Sequence, residues 1–435
     1  MGSSSVRRWT LPMVAFAVAL AFAAPVAQAK KAAPKVLTVC KHGCVYTTIQ
    51  KAVNASGRKA TIKVKPGKYV EGVIVSGHKH DGLHIIGQGK KPSAVVLEGK
   101  HARGPGGPAQ NGIDGENVNN LDIENMKAEH YAANGFFINT CRGYLMKNLV
   151  AGFNHSYGLY VFKCVGGRMT KSVGYGNGDS AFYVGGTPFE KHPVTTTLDH
   201  LTGYENVLGY SGTNSKYVVI RDSEFYNNGA GVVPNTLDSE PDQPATSGVI
   251  EHNLIYWNNF DYYRPGSPVQ TVSGGVGSKR ANYPIGAGVI LFGTTGWVVK
   301  DNSIFGNFLW GVAAFSDPTN TTGKAENNDN HVIDNRMGAP FNDTNGFDFY
   351  NDGSGKGTCF ESNGAGATFD TSTTEPTSQL YPSCPSNFGT GTTTADPTQF
   401  GKLAAVVLAD PPTSQENYWH VHKHPARKGR KPFEG

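Results

Sequence analysis

Apolar and polar residues alternate over short stretches through the middle of the chain, and Gly, Asn, Asp or Ser separates the stretches. A period of two is typical of β-strands that bury one face. No stretch in this region has the length and the 3.6-residue periodicity of a helix that could connect one strand to the next. The pattern therefore predicts many short strands without crossover helices.

Asparagines recur along these strands at steps of 23, 29, 22, 30 and 49 residues. Residues 134–156 align with residues 157–179 without a gap. A repeat of this length indicates stacked coils, so the sequence predicts an all-β, single-stranded parallel β-helix. We expect the asparagine amides to bond to one another along its axis. The recurring asparagines are Asn154, Asn177, Asn206, Asn228, Asn258 and Asn307, and five of them follow an aromatic residue by two positions: Tyr175, Tyr204, Tyr226, Tyr256 and Phe305.

The ends of the solenoid and its loops can also be placed. Residues 46–53 predict a short amphipathic helix that caps the first coil. The solenoid is expected over 30–350, followed by an irregular Gly/Thr/Pro-rich extension and a basic tail over 351–435. The long asparagine steps predict two loops, 234–247 and 261–284, and loops on a rigid scaffold are where binding sites usually lie.

The first 29 residues have the features of a signal peptide: two arginines, an apolar run and a small-residue cleavage site at 27–29. No other stretch approaches the length needed to span a bilayer. We therefore expect a secreted or cell-surface protein. Six cysteines in an exported chain favour disulfides, and their spacing pairs Cys40 with Cys44, Cys141 with Cys164, and Cys359 with Cys384. A reduced, buried stack remains an equal alternative for the middle pair.

The charge is distributed unevenly. The whole chain carries +5, but residues 46–110 hold eleven basic and three acidic side chains, whereas residues 111–419 sum to −13. Nucleic-acid binding needs a concentrated basic face with aromatic platforms, which this distribution does not provide. An acidic trunk is consistent with cation binding or with solubility alone.

The repeats resemble those of right-handed parallel β-helix proteins of the pectin lyase-like superfamily. The opening segments 48–53 and 66–71 also resemble the first coil of pectin methylesterases. The resemblance implies a right-handed parallel β-helix that acts on a polysaccharide. The catalytic motifs of pectin methylesterases and polygalacturonases are absent, and Leu198-Asp199-His200 only echoes a pectate lyase tripeptide. The resemblance thus predicts the fold without selecting an activity.

Alignment on the asparagines places one ionisable residue of each coil in a single column: Lys171, His200, Asp222, His252 and Asp301. Alternating basic and acidic groups one coil apart could move protons, with His200 and His252 as the titrating members. The alternative is a surface ladder that avoids stacking like charges. Asp179, which follows Asn177-Gly178 at a coil corner, is interpreted as a turn residue.

The two loops carry further candidates. Asp238, Glu240 and Asp242 alternate in the first loop, as oxygen ligands of Ca²⁺ do, although a solvated acidic loop is the alternative. Arg264 and Lys279 lie in the second loop among tyrosines and could bind a sugar carboxylate and act as the base of a lyase. An ordinary exposed loop is the alternative for these residues.

Three functions remain open from the sequence. The first is an enzyme that acts on an extracellular polysaccharide containing uronic acid, by calcium-assisted β-elimination. The second is a carbohydrate-binding or cell-envelope protein without catalysis, and the third is a structural surface protein. A monomer is expected in each case, with polysaccharide as the partner.

Overall fold

The computed structural model describes residues 35–104, 107–263, 266–273, 283–338, 344–364 and 381–387. The predicted signal peptide and the basic tail lie outside these residues. Within them, the chain forms a right-handed parallel β-helix, as predicted. A sheet of 20 parallel strands bends to give two faces of the helix, and a parallel sheet of 10 strands forms the third face. A two-stranded antiparallel pair lies apart from these sheets, at Arg103–Gly104 and Gly107–Pro108.

Each complete coil contributes a strand to each face, and equivalent strands pair in register. The first face contains Val36–Val39, Thr61–Val64, His84–Gly87, Leu121–Glu129, Tyr144–Gly152, Gly167–Thr170, Thr196–Asp199, Val218–Arg221, Val249–Glu251, Val298–Lys300, His331–Ile333 and Cys359–Glu361. The strands Leu121–Glu129 and Tyr144–Gly152 continue onto the second face, which also contains Gly67–Tyr69, Val95–Glu98, Val173–Tyr175, Thr202–Tyr204, Glu224–Tyr226, Leu254–Tyr256, Ser303–Phe305 and Arg336–Met337. The third face contains Val73–Ser76, Asn111–Glu116, Asn134–Arg142, Leu159–Val165, Ser180–Gly185, Leu208–Thr213, Ala230–Asn235, Ala287–Phe292, Trp310–Phe315 and Phe347–Asn351.

Helical structure is limited to short segments in the described part of the chain. The helix expected near the start is present as Ile49–Asn54, with the Thr48 side chain accepting a hydrogen bond from the Lys51 amide at its N-terminus. Its role as an end cap stays a prediction. A second helix, Pro268–Ser273, lies in the longest loop, and 3₁₀ turns occupy His78–His80 and Pro92–Ala94. Over the described residues, every helix is too short and polar to cross a bilayer.

The corner between the first and second faces bends at a single residue in a left-handed conformation. The predicted column of ionisable residues occupies this corner, and each member has φ between 49° and 56°: Lys171, His200, Asp222, His252 and Asp301. Asp and His adopt this region more readily than most residues with a side chain. The column is therefore real, and backbone geometry accounts for its position.

The asparagine ladder is confirmed and is longer than predicted. Each side-chain amide donates to the next asparagine's carbonyl oxygen at 2.9–3.1 Å, from Asn154 through Asn307 to an additional member, Asn345. Every member from Asn154 to Asn307 is fully buried. Each amide also bonds to backbone groups at the corner between the second and third faces. The ladder therefore provides hydrogen-bond partners for polar groups that this corner would otherwise bury without any.

Aromatic rings and disulfide bonds also connect residues of the stacked coils. The aromatic residues before the asparagines form a column with ring centroids 4.9–5.4 Å apart, from Tyr175 to Phe305. All three predicted disulfides are present: Cys40–Cys44, Cys141–Cys164 and Cys359–Cys384. The middle pair joins residues that face each other in neighbouring strands, so its reduced alternative is not observed. The strands Phe347–Asn351 and Cys359–Glu361 extend the parallel ladders past residue 350.

Candidate active site

The outer surface of the third face carries aromatic side chains in register. Phe137, Tyr160 and Tyr183 are direct partners in three successive strands. Their sequence neighbours lie in the hydrophobic core, so these three side chains point away from it. Phe137 and Tyr160 stack with ring centroids 4.6 Å apart. This column forms the floor of the candidate site.

Three tyrosines cluster at this point. Tyr157 lies at the corner just before the strand Leu159–Val165, and its ring joins Tyr160 and Tyr183. The three ring centroids are each 4.7 Å from the other two. Burial raises the pKa of all three hydroxyls above the ordinary value, so they stay protonated and act as hydrogen-bond donors.

Asp179 lies at one edge of the tyrosine cluster. Its backbone amide bonds to the Ser156 carbonyl oxygen of the preceding coil at 2.8 Å, which places its carboxyl group near Tyr157. Burial raises the pKa of Asp179 to about 7, and a hydrogen bond from the Tyr157 hydroxyl opposes that rise only in part. Asp179 can therefore gain and lose a proton near neutral pH.

Glu240 lies at the opposite edge and comes from the loop 236–247. Its Oε1 accepts a hydrogen bond from the Tyr183 hydroxyl, while Oε2 is buried without a hydrogen-bond partner of good geometry among the described residues. Burial, together with the charge of Asp179, raises the pKa of Glu240 to about 7. The charge of Asp179 thus acts on Glu240 through space, and a tyrosine lies beside each carboxyl group.

The Glu240 side chain fits only because residue 185 has no side chain. A Cβ atom on Gly185 would lie 2.4 Å from the Tyr183 ring and 2.7 Å from Glu240 Oε2. Real Cβ atoms do not approach other atoms this closely, so any larger residue at 185 would separate Tyr183 from Glu240.

A buried asparagine holds the Glu240 backbone. The Asn214 amide nitrogen lies 3.0 Å from the Leu237 carbonyl oxygen, 2.8 Å from that of Glu240 and 3.2 Å from that of Pro241. Its side-chain oxygen accepts from the Leu237 amide at 3.2 Å. Asn214 is fully buried, so these bonds are shielded from water and fix the loop against the coil below it.

The second loop reaches the same cluster from the other side. Tyr262 donates to the Tyr283 carbonyl oxygen at 2.8 Å, and Tyr283 lies close enough to Asp179 and Glu240 for their charges to raise its pKa. The helix Pro268–Ser273 lies near the corner of an earlier coil, where His155 Nδ1 is 3.2 Å from the Val272 carbonyl oxygen. Both predicted loops therefore border one site.

The three predicted calcium ligands do not converge. Asp238 accepts hydrogen bonds from Thr321, Asn320 and Gln243, so both of its oxygens are occupied by donors. Glu240 bonds to Tyr183 instead, and the backbone oxygen of Asp242 accepts from Lys216. Their carboxylate oxygens do not come within 4.8 Å of one another as a group. These residues do not fit a calcium site, and calcium itself stays an untested prediction.

The two predicted histidines lie away from the tyrosine cluster, at the corner between the first and second faces. His200 Nδ1 is 2.8 Å from Asp199 Oδ2, and Arg168 makes two bonds to the same carboxylate at 2.8 and 2.6 Å. His252 Nε2 lies 3.9 Å from Asp301 Oδ2. More than half of each histidine side chain is exposed, which matches the surface-ladder alternative.

We expect His200→Ala and His252→Ala to leave catalysis unchanged, because neither side chain reaches the carboxyl pair. Rates on any substrate should stay within about twofold of the unaltered protein, which corresponds to a change of less than about 0.5 kcal/mol in the activation barrier. Steady-state kinetics on the purified variants would test this. A loss of tenfold or more in either variant would return the histidine column to consideration.

The remaining two predicted catalytic residues, Arg264 and Lys279, lie outside the described residues. Conversely, sequence analysis assigned Asp179 to a turn and did not identify Tyr157, Tyr160 or Tyr183. The signal for two of them was present, because Tyr160 and Tyr183 are 23 residues apart, one full coil, at positions that alternate with core residues.

Comparisons with known proteins extend only to the fold. No protein-family model matches the chain, and no curated protein sequence matches it either. The structure of XylC in complex with xylose matches with a TM-score of 0.50 at 10% identity, over 69% of this chain and 68% of that one. The A-module of Azotobacter vinelandii mannuronan C-5 epimerase AlgE6 matches with a TM-score of 0.45 at 14% identity, over 75% of this chain and 92% of that one. Pectate lyase Pel9A gives 0.44 at 14% identity, over 80% of each chain.

At these identities the likeness concerns architecture alone. The all-parallel sheets of stacked coils confirm the right-handed parallel β-helix fold predicted from the pectin lyase-like resemblance. The activity has to be argued from the side chains of the site.

Proposed function

We propose that this protein is an enzyme that cleaves glycosidic bonds of an extracellular polysaccharide, with Asp179 and Glu240 as its acid–base pair. The observation that carries the proposal is the pairing itself. Two carboxyl groups, one accepting a hydrogen bond from Tyr183 and the other beside Tyr157, lie on the outer face of a rigid sheet between two loops, and burial raises the pKa of each to about 7. A solvated acidic surface would not raise either pKa.

Hydrolysis is the reaction that this pair supports best. Glycoside hydrolysis uses one protonated carboxyl group to donate to the leaving oxygen and one ionised carboxylate as base or nucleophile. A coupled pair near pH 7 holds one proton over a range of pH, so both forms are present together. The tyrosine rings offer apolar surface and hydroxyl groups to a sugar.

Elimination from a uronic-acid polymer is the second candidate. Lys163 lies near enough to lower the pKa of Glu240, so one cation accompanies the carboxyl pair. A protonated carboxyl group can also donate a hydrogen bond to a substrate carboxylate. In this reaction the ionised member of the pair would remove the proton next to the uronate carboxyl group. The bond from the neighbouring carbon to the glycosidic oxygen would break to form the unsaturated uronate, and that oxygen would take a proton from water. The predicted basic residues Arg264 and Lys279 would strengthen this candidate, and no step in it requires calcium.

A panel of neutral and uronic-acid polysaccharides, incubated with the protein between about pH 5 and 7, separates the candidates. Hydrolysis gives new reducing ends without ultraviolet absorbance, whereas elimination gives reducing ends together with the absorbance of an unsaturated uronate. Binding without any product on the whole panel would overturn the proposal and favour the non-catalytic carbohydrate-binding alternative.

The location outside the cytoplasm is supported by the three disulfides, which persist in oxidising compartments. An extracellular polysaccharide is the substrate class that this location makes available. The monomeric state expected from the sequence stays a prediction.

The raised pKa values of the carboxyl pair predict how the free energy of unfolding depends on pH. The pKa of Asp179 rises from 3.8 to about 7 on folding and that of Glu240 from 4.5 to about 7, so the folded state holds both protons more tightly. The contribution of the pair to stability is therefore greatest at low pH and is lost as the pH rises through about 7.

Urea denaturation between about pH 4 and 8 should show that the free energy of unfolding of the unaltered protein falls as the pH rises. The fall should be smaller in an Asp179→Asn/Glu240→Gln double variant. Parallel pH dependences in the two proteins would contradict the assigned pKa values.

A further inference from the structure

Lys216 is fully buried, which is rare for lysine. Its Nζ donates to the carbonyl oxygens of Thr187 at 2.9 Å and Asn214 at 3.1 Å, and to that of Asp242. The Phe189 ring covers the ammonium group, with its centroid 4.2 Å from Nζ. The N–H groups of the buried ammonium thus donate to three backbone carbonyl oxygens.

The acceptors belong to segments that carry the candidate site. Asp242 follows Glu240 by two residues in the loop, and Thr187 lies two residues beyond the end of the strand that contains Tyr183. The ammonium group therefore connects the loop backbone that follows Glu240 to the backbone that follows the strand of Tyr183. Glu240 and Tyr183 are the two partners of the hydrogen bond in the candidate site.

Retaining a charge at this position is unfavourable in itself. Burial, with a smaller contribution from the charge of Lys324, lowers the pKa of Lys216 to about 8 against the opposing effect of the Asp242 carboxylate. An uncharged side chain of similar volume would avoid the cost of removing an ammonium group from water. A role in holding the two segments together accounts for the presence of the charge.

We propose that Lys216 is a positioning residue that keeps Glu240 buried against Tyr183 by tying the loop of Glu240 to the end of the strand of Tyr183. This inference rests on the proposed function for its consequence in catalysis. The geometric part stands independently, because the state of Glu240 can be measured without turnover.

Without the ammonium group, the Asp242 and Thr187 carbonyl oxygens lose their common donor. The loop remains attached through Asn214, so the fold is retained. The segment after Glu240 gains freedom, and water reaches the carboxyl group. The pKa of Glu240 then moves from about 7 back toward its ordinary value of 4.5.

The test compares Lys216→Met with Lys324→Met in the full chain. Lys324 is a lysine whose charge lowers the pKa of Lys216, and its backbone amide bonds to Asn320 and not to either site segment. Carbon-13 NMR of the glutamate carboxyl groups, with Glu240→Gln used for assignment, reports the titration of Glu240 directly. We expect Lys216→Met to lower that pKa by about one unit or more, and Lys324→Met to leave it in place.

On a cleavable polysaccharide, Lys216→Met should lower kcat by roughly 10- to 100-fold, as a displaced catalytic group does, with a smaller effect on KM. Should the Met variant fail to fold, Lys216→Gln provides the same comparison with a neutral side chain that keeps a donor. An unchanged titration of Glu240 in the folded variant overturns the inference. A shifted titration in a protein that cleaves no polysaccharide supports the inference and instead removes the proposed function.

Discussion

Replacement of Glu240 by glutamine is expected to lower the rate of polysaccharide cleavage by about 10² to 10⁴. Glutamine keeps the size of the side chain and a hydrogen-bond acceptor for Tyr183, but it can neither donate an acidic proton nor accept one. The fold should persist, because the loop backbone is held by Asn214 and not by the Glu240 side chain. The measurement is kcat on the substrate identified by the panel, with circular dichroism to confirm folding.

Glu251→Gln is a matched control for this variant. Glu251 forms an ion pair with Lys300 at 3.1 Å on the first face, away from the tyrosine cluster, so the same substitution there should leave kcat unchanged. Asp179→Asn should have an effect similar to that of Glu240→Gln. If Glu240→Gln keeps full activity, the acid–base assignment is wrong, whatever the protein cleaves.

Replacement of Asn206 by alanine is expected to destabilise the protein by about 4 kcal/mol, because each buried polar group left unpaired costs about 1–3 kcal/mol. The Asn206 side chain accepts from the backbone and side chain of Asn177, and it donates to the Gly174 and Tyr204 carbonyl oxygens and to Asn228. Alanine removes all of these bonds in a place where water cannot replace them.

Chemical denaturation followed by circular dichroism would give the difference in the free energy of unfolding. Asn54 provides the control, since it is exposed at the end of the first helix and Asn54→Ala should change stability by less than about 0.5 kcal/mol. Equal stability of the two variants would show that the ladder follows from the fold and does not stabilise it.

The fold could be predicted from the sequence because its determinants repeat. Spacing alone placed Asn177 above Asn154 and paired Cys141 with Cys164, since the structure of one coil sets the position of the next. The same spacing placed His200 and His252 in one column. In a solenoid, residues one repeat apart are neighbours whatever their chemistry, so the pattern can be read without knowledge of loops.

The candidate site was harder to predict because half of it comes from an irregular loop. Asp238, Glu240 and Asp242 alternate in sequence, which would place them on one side of a strand. In the loop, their backbone follows bonds to Asn214 and Lys216, and only Glu240 turns toward the tyrosines. The sequence predicted only a turn at Asp179. The groups that bury it and raise its pKa are distant in sequence, so no local pattern reveals them.

The asparagine ladder makes the length of a coil independent of its geometry. Asn154 and Asn177 are 23 residues apart and bond at 3.0 Å, whereas Asn258 and Asn307 are 49 residues apart and bond at 3.1 Å. The additional residues leave the body and return to it without changing the rise between rungs. Loops of quite different size can therefore be exchanged at these corners, which makes the scaffold suitable for grafting new recognition segments beside an unchanged aromatic floor.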